Sequence, residues 1–468
     1  MNPNHFDLPA PGTRVLVHGL GRFGGGREAL RFLARRGCRL RVADKSAGED
    51  LQAVRAAMAD LGDIDWQLGR EDSTLLDGIE LVVTNPAVPD SNPLLTAARA
   101  AAVPLTQEVD LFLAAYPGRV LAVTGTNGKS TTSTLLHRAL SRSGLAALLG
   151  GNIGNSLLAD EANWRRDQVA VLEISSFQLE RLAPVRTVLG AVFTRVGKDH
   201  IDRHGTLAAY HAAKSRLAAI ATGFVVHAAD DPVAAAYATP APLRLRFATD
   251  TTPAPNSAGV DGGFVALRLG REPAERIVHA AALRLLGGFQ VENVMAASLA
   301  ARAAGATPHG IGLAMANAAP LPFRLQLVAS RRGVRIYDNG VSTEIESTMV
   351  AVNALTGRVH WLGGGKSKDG DYRTVADRIV SRVATAHLFG AAAEPLAEAI
   401  AGRVPVTVST TLREALPRAL AAAATGDAVL FSPAFASFDQ YPNFRARALE
   451  FHTLLAASAA DASDDAAV

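Results

Sequence analysis

The run VTGTNGKSTT, residues 123–132, leaves the chain few choices of fold. An apolar stretch at 120–123 runs into two glycines and a lysine, and a helical stretch follows. Strand, tight turn and helix make the first half of a βαβ unit. Gly125 and Gly128 let the backbone turn and approach an anion with no Cβ in the way. The helix start behind them offers backbone N–H groups and the positive end of its dipole. The loop is shorter than the usual G-x-x-x-x-G-K-[ST], because only Thr126 and Asn127 separate the glycines. Lys129 is placed for the β- and γ-phosphates of a nucleotide, and Ser130 or Thr131 for a Mg²⁺ ion. A strand-to-helix turn that happens to hold a lysine would explain GKS alone. It does not explain the whole of TGTNGKST behind an apolar strand.

The rest of the chain repeats this alternation. Short β-branched runs are followed by Ala/Leu-rich helical stretches, which predicts an α/β fold with largely parallel sheets. The 468 residues exceed what one compact core holds, so several domains are expected. Three sections are read: a Rossmann-like N-terminal domain at 1–117, a central P-loop ATPase-like domain at 118–319, and a Rossmann-like C-terminal domain at 320–468. Strands are predicted near 15–17, 39–42 and 81–84, then at 120–123, 169–174 and 189–194, then near 334–337, 360–362 and 428–431. Residues 242–282 read as broken and strand-like, and residues 291–304 as a helix. No short-period repeat is present.

Composition excludes more than it selects. A net charge of +3 and no basic run with interleaved aromatics give no reason to expect a nucleic-acid partner. Cys38 is the only cysteine, which rules out an intrachain disulfide and fits a reducing, cytoplasmic setting. The start MNPNHFDLPAPGTR lacks the charged and apolar regions of a signal peptide. No uncharged apolar run is long enough for a bilayer, so no membrane insertion is expected. The tail AASAADASDDAAV is expected to fray, and a monomer is expected.

Three further side chains stand where chemistry is done. Glu173 closes the apolar run VAVLE, and ligands of open α/β sheets gather outside the carboxyl ends of strands. A carboxylate there is costly to bury unless paired or metal-bound; an ion pair is the plainer reading. His200, in KDHIDRHG, follows another apolar strand and is either a metal ligand or a loop contact. Thr206 then reads as an N-cap. Behind it Leu207, Tyr210, Lys214 and Leu217 share one helical stripe. Lys214 is thus on the inward face, as a snorkelling lysine or a functional one.

VTGTNGKSTT, EISSFQ (173–178), DHIDRH (199–204) and YHAAK (210–214) together resemble the central segments of the Mur ligase family, enzymes that use ATP to join a carboxylate to an amine. The resemblance implies that Gly125, Thr126, Asn127, Gly128, Lys129, Ser130 and Thr131 bind ATP. It implies that Lys129, Glu173, His200 and Lys214 are catalytic. It also implies that Lys214 is carbamylated, and that Ser130, Glu173, His200 and the modified Lys214 surround Mg²⁺ and the reacting acyl phosphate. A carbamate replaces a cation by an anion with two oxygens, which suits that hard metal.

The front turn GLGRFGGG (19–26), with Asp44 at the end of the second strand, also invites a dinucleotide reading. In the family a related turn holds the UDP part of a nucleotide sugar, and NPA (85–87) is similar to its uridine loop. By that resemblance Gly21, Arg22, Phe23, Asp44, Asn85, Pro86 and Asn152 bind the UDP-sugar. In the last third, LPFRL (321–325) implies that Arg324 meets nucleotide phosphates, and Asn293 is matched near the adenine. GGKSKDGDY (364–372) resembles the loop that gives a lysine to the incoming glutamate, which is Lys368 with Lys366 as the register alternative. SPAFASFDQY (432–441) resembles the glutamate loop, so Ser437, Phe444 and Thr343 are implied as glutamate contacts. Two segments depart from the family. DNGVSTE (338–344) exchanges an Asp and an Asn and puts Val341 where a lysine is usual. GGFQVEN (287–293) has Phe-Gln for His-Asn.

The implied reaction joins D-glutamate to UDP-N-acetylmuramoyl-L-alanine with ATP and Mg²⁺, by way of an acyl phosphate, in peptidoglycan precursor synthesis. An L-glutamate-adding ligase is the near alternative. From other classes, a nicotinamide oxidoreductase would use the front turn, and a non-catalytic nucleotide-binding protein would dispense with Lys129, Glu173 or Lys214.

Overall fold

The computed structural model describes residues 6–21, 24–154, 156–183, 187–367 and 370–464. They form three sheets. The first contains β1 (Arg14–His18), β2 (Arg39–Asp44), β3 (Ile64–Leu68), β4 (Leu81–Thr84) and β5 (Leu105–Thr106). It is parallel throughout in the order β3-β2-β1-β4-β5. The second contains β6 (Arg119–Thr124), β7 (Ala147–Gly151), β8 (Val169–Glu173), β9 (Val188–Phe193), β10 (Ala221–Ala228), β11 (Leu243–Phe247), β12 (Ser257–Asp261), β13 (Phe264–Arg268) and β14 (Glu275–His279). Its order is β14-β13-β12-β11-β10-β9-β6-β8-β7, and only the β12-β13-β14 edge is antiparallel. The third contains β15 (Gln326–Arg331), β16 (Val334–Asp338), β17 (Val359–Gly364), β18 (Thr385–Phe389), β19 (Val406–Ser409) and β20 (Ala428–Ala434). Its order is β15-β16-β20-β17-β18-β19, parallel except for β15.

The α/β expectation holds, for the reason the sequence suggests. LVVT in β4, VAVLE in β8 and AVLFSPA in β20 are buried along their whole length. Parallel strands covered by helices on both faces need such unbroken apolar runs. The strand-like stretch 242–282 supplies β11 to β14. IDWQL (β3) and ALLGG (β7) are strands that the sequence reading did not identify. Two expectations are corrected. The helix expected at 291–304 spans Gly288–Ala303. Residues 456–464 of the tail expected to fray continue a helix, Phe444–Asp464, and residues 465–468 lie outside the described residues.

The residues group into two compact units, Met1–Ala282 with Glu292–Asn317, and Leu283–Val291 with Ala318–Val468. The first two sheets share a unit because their connector is buried between them. The Phe112 and Tyr116 rings stack at 5.0 Å, and Trp164 meets them edge-on at 5.5 and 5.4 Å. Each such contact is worth about 0.5–1.5 kcal/mol beyond its buried area. Gln107 Nε2 donates to Gln178 O at 2.7 Å, which ties the connector to the central sheet. Asp110, fully buried, accepts from Thr106 Oγ1 at 3.1 Å and from Ala183 N at 3.2 Å. Burial nevertheless raises its carboxyl to about 7. Among the described residues, no helix is long and apolar enough to cross a membrane.

Candidate active site

The phosphate loop leaves the carboxyl end of β6 and enters the helix Lys129–Arg142. Both of its glycines are required by geometry. Gly125 has φ 149°, and a Cβ there would strike the Thr194 side chain. Gly128 has φ 84°, and a Cβ there would strike the Asn293 side chain. Asn293 Oδ1 also accepts from Thr132 Oγ1 at 3.2 Å, so this residue backs the loop. Thr126 N donates to Arg195 O at 2.6 Å, and Thr126 Oγ1 meets the Tyr210 hydroxyl at 2.8 Å. Arg195 grips Glu292 with Nε and Nη2, both at 2.6 Å. Neither Arg195 nor this use of Tyr210 was found by sequence; an arginine after an apolar strand carries no signal of its own. Ser130 and Thr131 lie buried in the first turn of the helix.

Lys129 folds back on the loop, where Nζ donates to Gly125 O at 3.0 Å and Thr126 O at 2.8 Å. Lys214 reaches the same carbonyl, with Nζ to Gly125 O at 2.7 Å. Two lysine nitrogens therefore share one oxygen. Lys214 is 1% exposed, on the helix Leu207–Ala219 that Thr206 caps by accepting from Ala209 N at 3.1 Å. Tyr210 and Leu217 are buried on its stripe, but Leu207, expected there too, is 42% exposed on the first turn. Burial drives the Lys214 ammonium well below the ordinary lysine range. The Lys129 charge adds to this, while Asp199 and Glu173 oppose it.

Glu173 ends β8 and is 2% exposed. β8 pairs with β6 so that Glu173 lies beside Val123, two residues before the loop glycine. Its Oε1 accepts from Asn152 Nδ2 at 2.9 Å. Its Oε2 is buried with no hydrogen-bond partner among the described residues. A buried carboxylate oxygen left this way calls for a cation or a donor from a ligand. The expected ion pair with a basic residue is not what holds it. The SSFQ that follows is spent on a capping box: Ser175 Oγ accepts from Gln178 N at 3.3 Å, and Gln178 Oε1 from Ser175 N at 2.9 Å. Asn152, expected on the UDP-sugar, is found on Glu173.

His200 has φ 50° and opens the short turn Ile201–His204. Its ring packs on Phe177 at 4.8 Å and its Nε2 lies 3.2 Å from Asp199 Oδ2. Among the described residues no three His, Cys, Asp or Glu side chains converge as a metal cage. The chemistry present is one buried carboxylate with a spare oxygen, beside a phosphate loop with a helix-start serine. That fits Mg²⁺, which keeps most of its ligands from water and phosphate.

At the first sheet the Gly-rich turn, Asp44 and Asn85 meet outside the carboxyl ends of β1, β2 and β4. This is where the strand order reverses, the usual ligand crevice. Gly21 has φ 68°, and a Cβ there would strike the Asn85 amide. Asp44 is spent on the turn itself, accepting from Leu20 N at 3.1 Å and Ser46 N at 3.0 Å. Pro86 O accepts from Arg203 Nη2 at 3.4 Å. Arg22 and Phe23 lie outside the described residues.

The other expected residues belong to the C-terminal unit. Arg324 lies between Phe323 (φ 65°) and Leu325 (φ 49°). Lys366 exchanges backbone hydrogen bonds with Ala436, at 2.8 and 3.1 Å, which sets it beside the buried Ser437. Thr343 is half-buried after β16, and Phe444 opens the last helix. Lys368 lies outside the described residues. The exchanged pair has its own logic. Asp338 is fully buried against His452, Oδ2 to Nε2 at 2.6 Å, and Asn339 Nδ2 donates to Ser432 Oγ at 3.0 Å.

Residues 123–301 match the family described as Mur ligase middle domain, and residues 323–435 that described as Mur ligase, glutamate ligase domain. The chain is 36% identical over 449 residues to the UDP-N-acetylmuramoylalanine--D-glutamate ligase of Acidobacterium capsulatum, a match covering 95% of this chain and 96% of that one. It is 33% identical to the enzyme of the same name from Solibacter usitatus, over 95% of this chain and 98% of that one. Among solved structures it is similar to the UDP-N-acetylmuramate-alanine ligase MurC of Thermotoga maritima, with TM-score 0.62, 15% identity, and 95% and 99% of the two chains covered. It is also similar to MurF from Acinetobacter baumannii, with TM-score 0.58, 15% identity, and 95% and 93% covered. At such identity these two likenesses concern fold alone.

Proposed function

The chain belongs to the Mur ligase family, and we propose that it joins D-glutamate to UDP-N-acetylmuramoyl-L-alanine with ATP, in peptidoglycan precursor synthesis. The observation that carries the reading is Glu173: a buried carboxylate with a spare oxygen, one strand from the phosphate loop and near Lys214. We divide the chain at 117/118 and 319/320 into a nucleotide-sugar domain, an ATP domain and an amino-acid domain.

In the first step an oxygen of the alanine carboxylate attacks the γ-phosphorus of ATP, and ADP leaves. Lys129 moves from the loop carbonyls to the transferring phosphoryl, and the N–H groups at the helix start stabilise the growing charge. Mg²⁺, held by Ser130, Glu173 and a carbamylated Lys214 with His200 alongside, would neutralise phosphate charge. In the second step the glutamate amine attacks the acyl carbon. Phosphate leaves with the former carboxylate oxygen, and the amine gives up its proton. Gly21, Arg22, Phe23, Asp44, Asn85, Pro86 and Asn152 serve the nucleotide sugar, and Asn293 and Arg324 the ATP. Thr343, Lys368, Ser437 and Phe444 serve the glutamate, fixing its two carboxylates so that only one enantiomer aims its amine at the acyl carbon. Groups left unpaired by the wrong enantiomer support discrimination of roughly 10⁴-fold.

The test is phosphate release by the purified protein with ATP and Mg²⁺, omitting each substrate in turn and running the two glutamate enantiomers side by side. Release is expected only with nucleotide sugar and D-glutamate together. A higher kcat/KM with L-glutamate overturns the choice of enantiomer, and release with neither substrate overturns the ligase reading.

A further inference from the structure

Three loops at the carboxyl edge of the third sheet contain, in sequence, Thr343, Lys368 and Ser437 of the proposed function. They follow β16, β17 and β20, neighbours in space that come from distant parts of the chain. Nothing in their local sequence fixes their heights relative to one another. One side chain touches all three. Arg447, in the first turn of the helix Phe444–Asp464, is fully buried. Its Nη1 donates to Gly364 O at 3.2 Å and Phe435 O at 3.0 Å, and its Nη2 to Ser342 O at 3.4 Å. A Cβ at Gly365 would lie 2.8 Å from Nη1, so the glycine leaves room for the fork.

A guanidinium suits this task, because its donors diverge in a fixed plane and it stays charged. Its burial here is also unusual. All three hydrogen-bond acceptors are neutral carbonyls, and Nε has no partner among the described residues. Asp439, the acid whose charge bears on it, has its Oδ2 on Ala391 N at 3.0 Å and its Oδ1 unpartnered among the described residues. Desolvation lowers the Arg447 guanidinium to about 10. An apolar side chain of similar volume would pack the same space without that penalty. The charge therefore does something that packing does not require. It ties the carbonyls of Ser342, Gly364 and Phe435, at or just past the ends of three neighbouring strands, to one side chain.

We propose that Arg447 is the positioning residue of the amino-acid pocket. Through Ser342, Gly364 and Phe435 it sets where Thr343 and Ser437, each next to or two residues from a gripped carbonyl, meet the substrate carboxylates. The proposal rests on the reading of this edge as the glutamate site.

Arg447→Met and Arg447→Lys test it, with KM measured separately for D-glutamate, ATP and the nucleotide sugar. Arg447→Met is expected to raise the D-glutamate KM by about 10- to 100-fold, the effect of misplacing contacts by an ångström or so. The other two KM values should stay within about twofold, and Arg447→Lys, which keeps the charge but not the fork, should fall between. An unchanged D-glutamate KM in either folded variant overturns the idea. So does a parallel rise in all three KM values with a fall in Tm, the mark of a merely structural arginine. If Arg447→Met does not fold, Arg447→Lys decides by the same criteria. Wild-type protein that releases no phosphate with D-glutamate would refute the site reading instead, independently of both variants.

Discussion

At the carboxyl edge of the central sheet, charged side chains rest on partners that a ligand can replace. At the same edge of the C-terminal sheet they tie neighbouring loops to one another. Lys129 and Lys214 share the Gly125 carbonyl, and Glu173 keeps one oxygen unpartnered among the described residues. In the other unit, Asp439 is tied to the loop after β18 through Ala391 N, and Gln440 Nε2 to the loop after β19 through Thr410 O at 2.7 Å. Arg447 ties the loops after β16, β17 and β20. The difference follows from the tasks. Phosphoryl transfer needs charges that can move to a developing anion. Telling one enantiomer from another needs loops that cannot move.

If that contrast is right, mutations at the first edge should change rate and spare stability. Lys129→Ala is expected to lower kcat for phosphate release by about 10³-fold, with Tm little changed because the loop carbonyls that lose a donor lie at a half-buried site. Wild-type-like turnover in the folded variant would break the contrast at its strongest point.

Lys214 comes next. Carbamylation needs the neutral amine, and burial together with the Lys129 charge lowers the ammonium's pKa. The reactive fraction, and with it activity, should therefore grow as pH rises through the lowered value and shrink as pH falls. Over the window from that value up to the ordinary lysine range, the unfolded chain binds the extra proton, so the folded protein also gains stability with rising pH. Lys214→Ala should lose about 10²-fold in kcat, with partial rescue by a short carboxylic acid. Full activity in CO₂-free buffer with an unmodified lysine by mass spectrometry would sink the carbamylation.

The smallest effect is expected from Asp439→Ala. Loss of its charged hydrogen bond should destabilise the C-terminal unit by about 1.5–3 kcal/mol, raise the D-glutamate KM a few-fold, and leave kcat alone. A change in kcat with Tm and KM untouched would mean that the residue belongs to the chemistry, not to the scaffold.

What the sequence made legible was whatever one residue type does at one place in a strand–turn–helix unit. Gly125, Gly128, Lys129, Glu173 and Lys214 are of this kind, because a tight turn, a buried carboxylate and an inward lysine each have few explanations. Leu207 was misplaced because a first-turn residue can obey the stripe and still face solvent. The hydrogen bond from Asn152 to Glu173 was not legible, because the two are neighbours only through β7–β8 pairing, which sequence does not display. Asp338 and Asn339 read only as a departure from the family's segment, because their partners His452 and Ser432 lie 114 and 93 residues away in sequence. Arg447 could not be read at all, since an arginine in a helix normally faces water.

The position of β20 has a consequence for how the protein is made. It pairs with β16 on one side and β17 on the other, so it is the strand that joins the two halves of its sheet. It is also the last strand among the described residues, Ala428–Ala434. During synthesis β15–β16 and β17–β18–β19 leave the ribosome as separate fragments, each with an open edge that exposes backbone donors and acceptors. They become one sheet only once residues 428–434 have been made. A ribosome that stops short of residue 428 therefore releases a chain whose phosphate loop is complete and whose amino-acid unit has no centre.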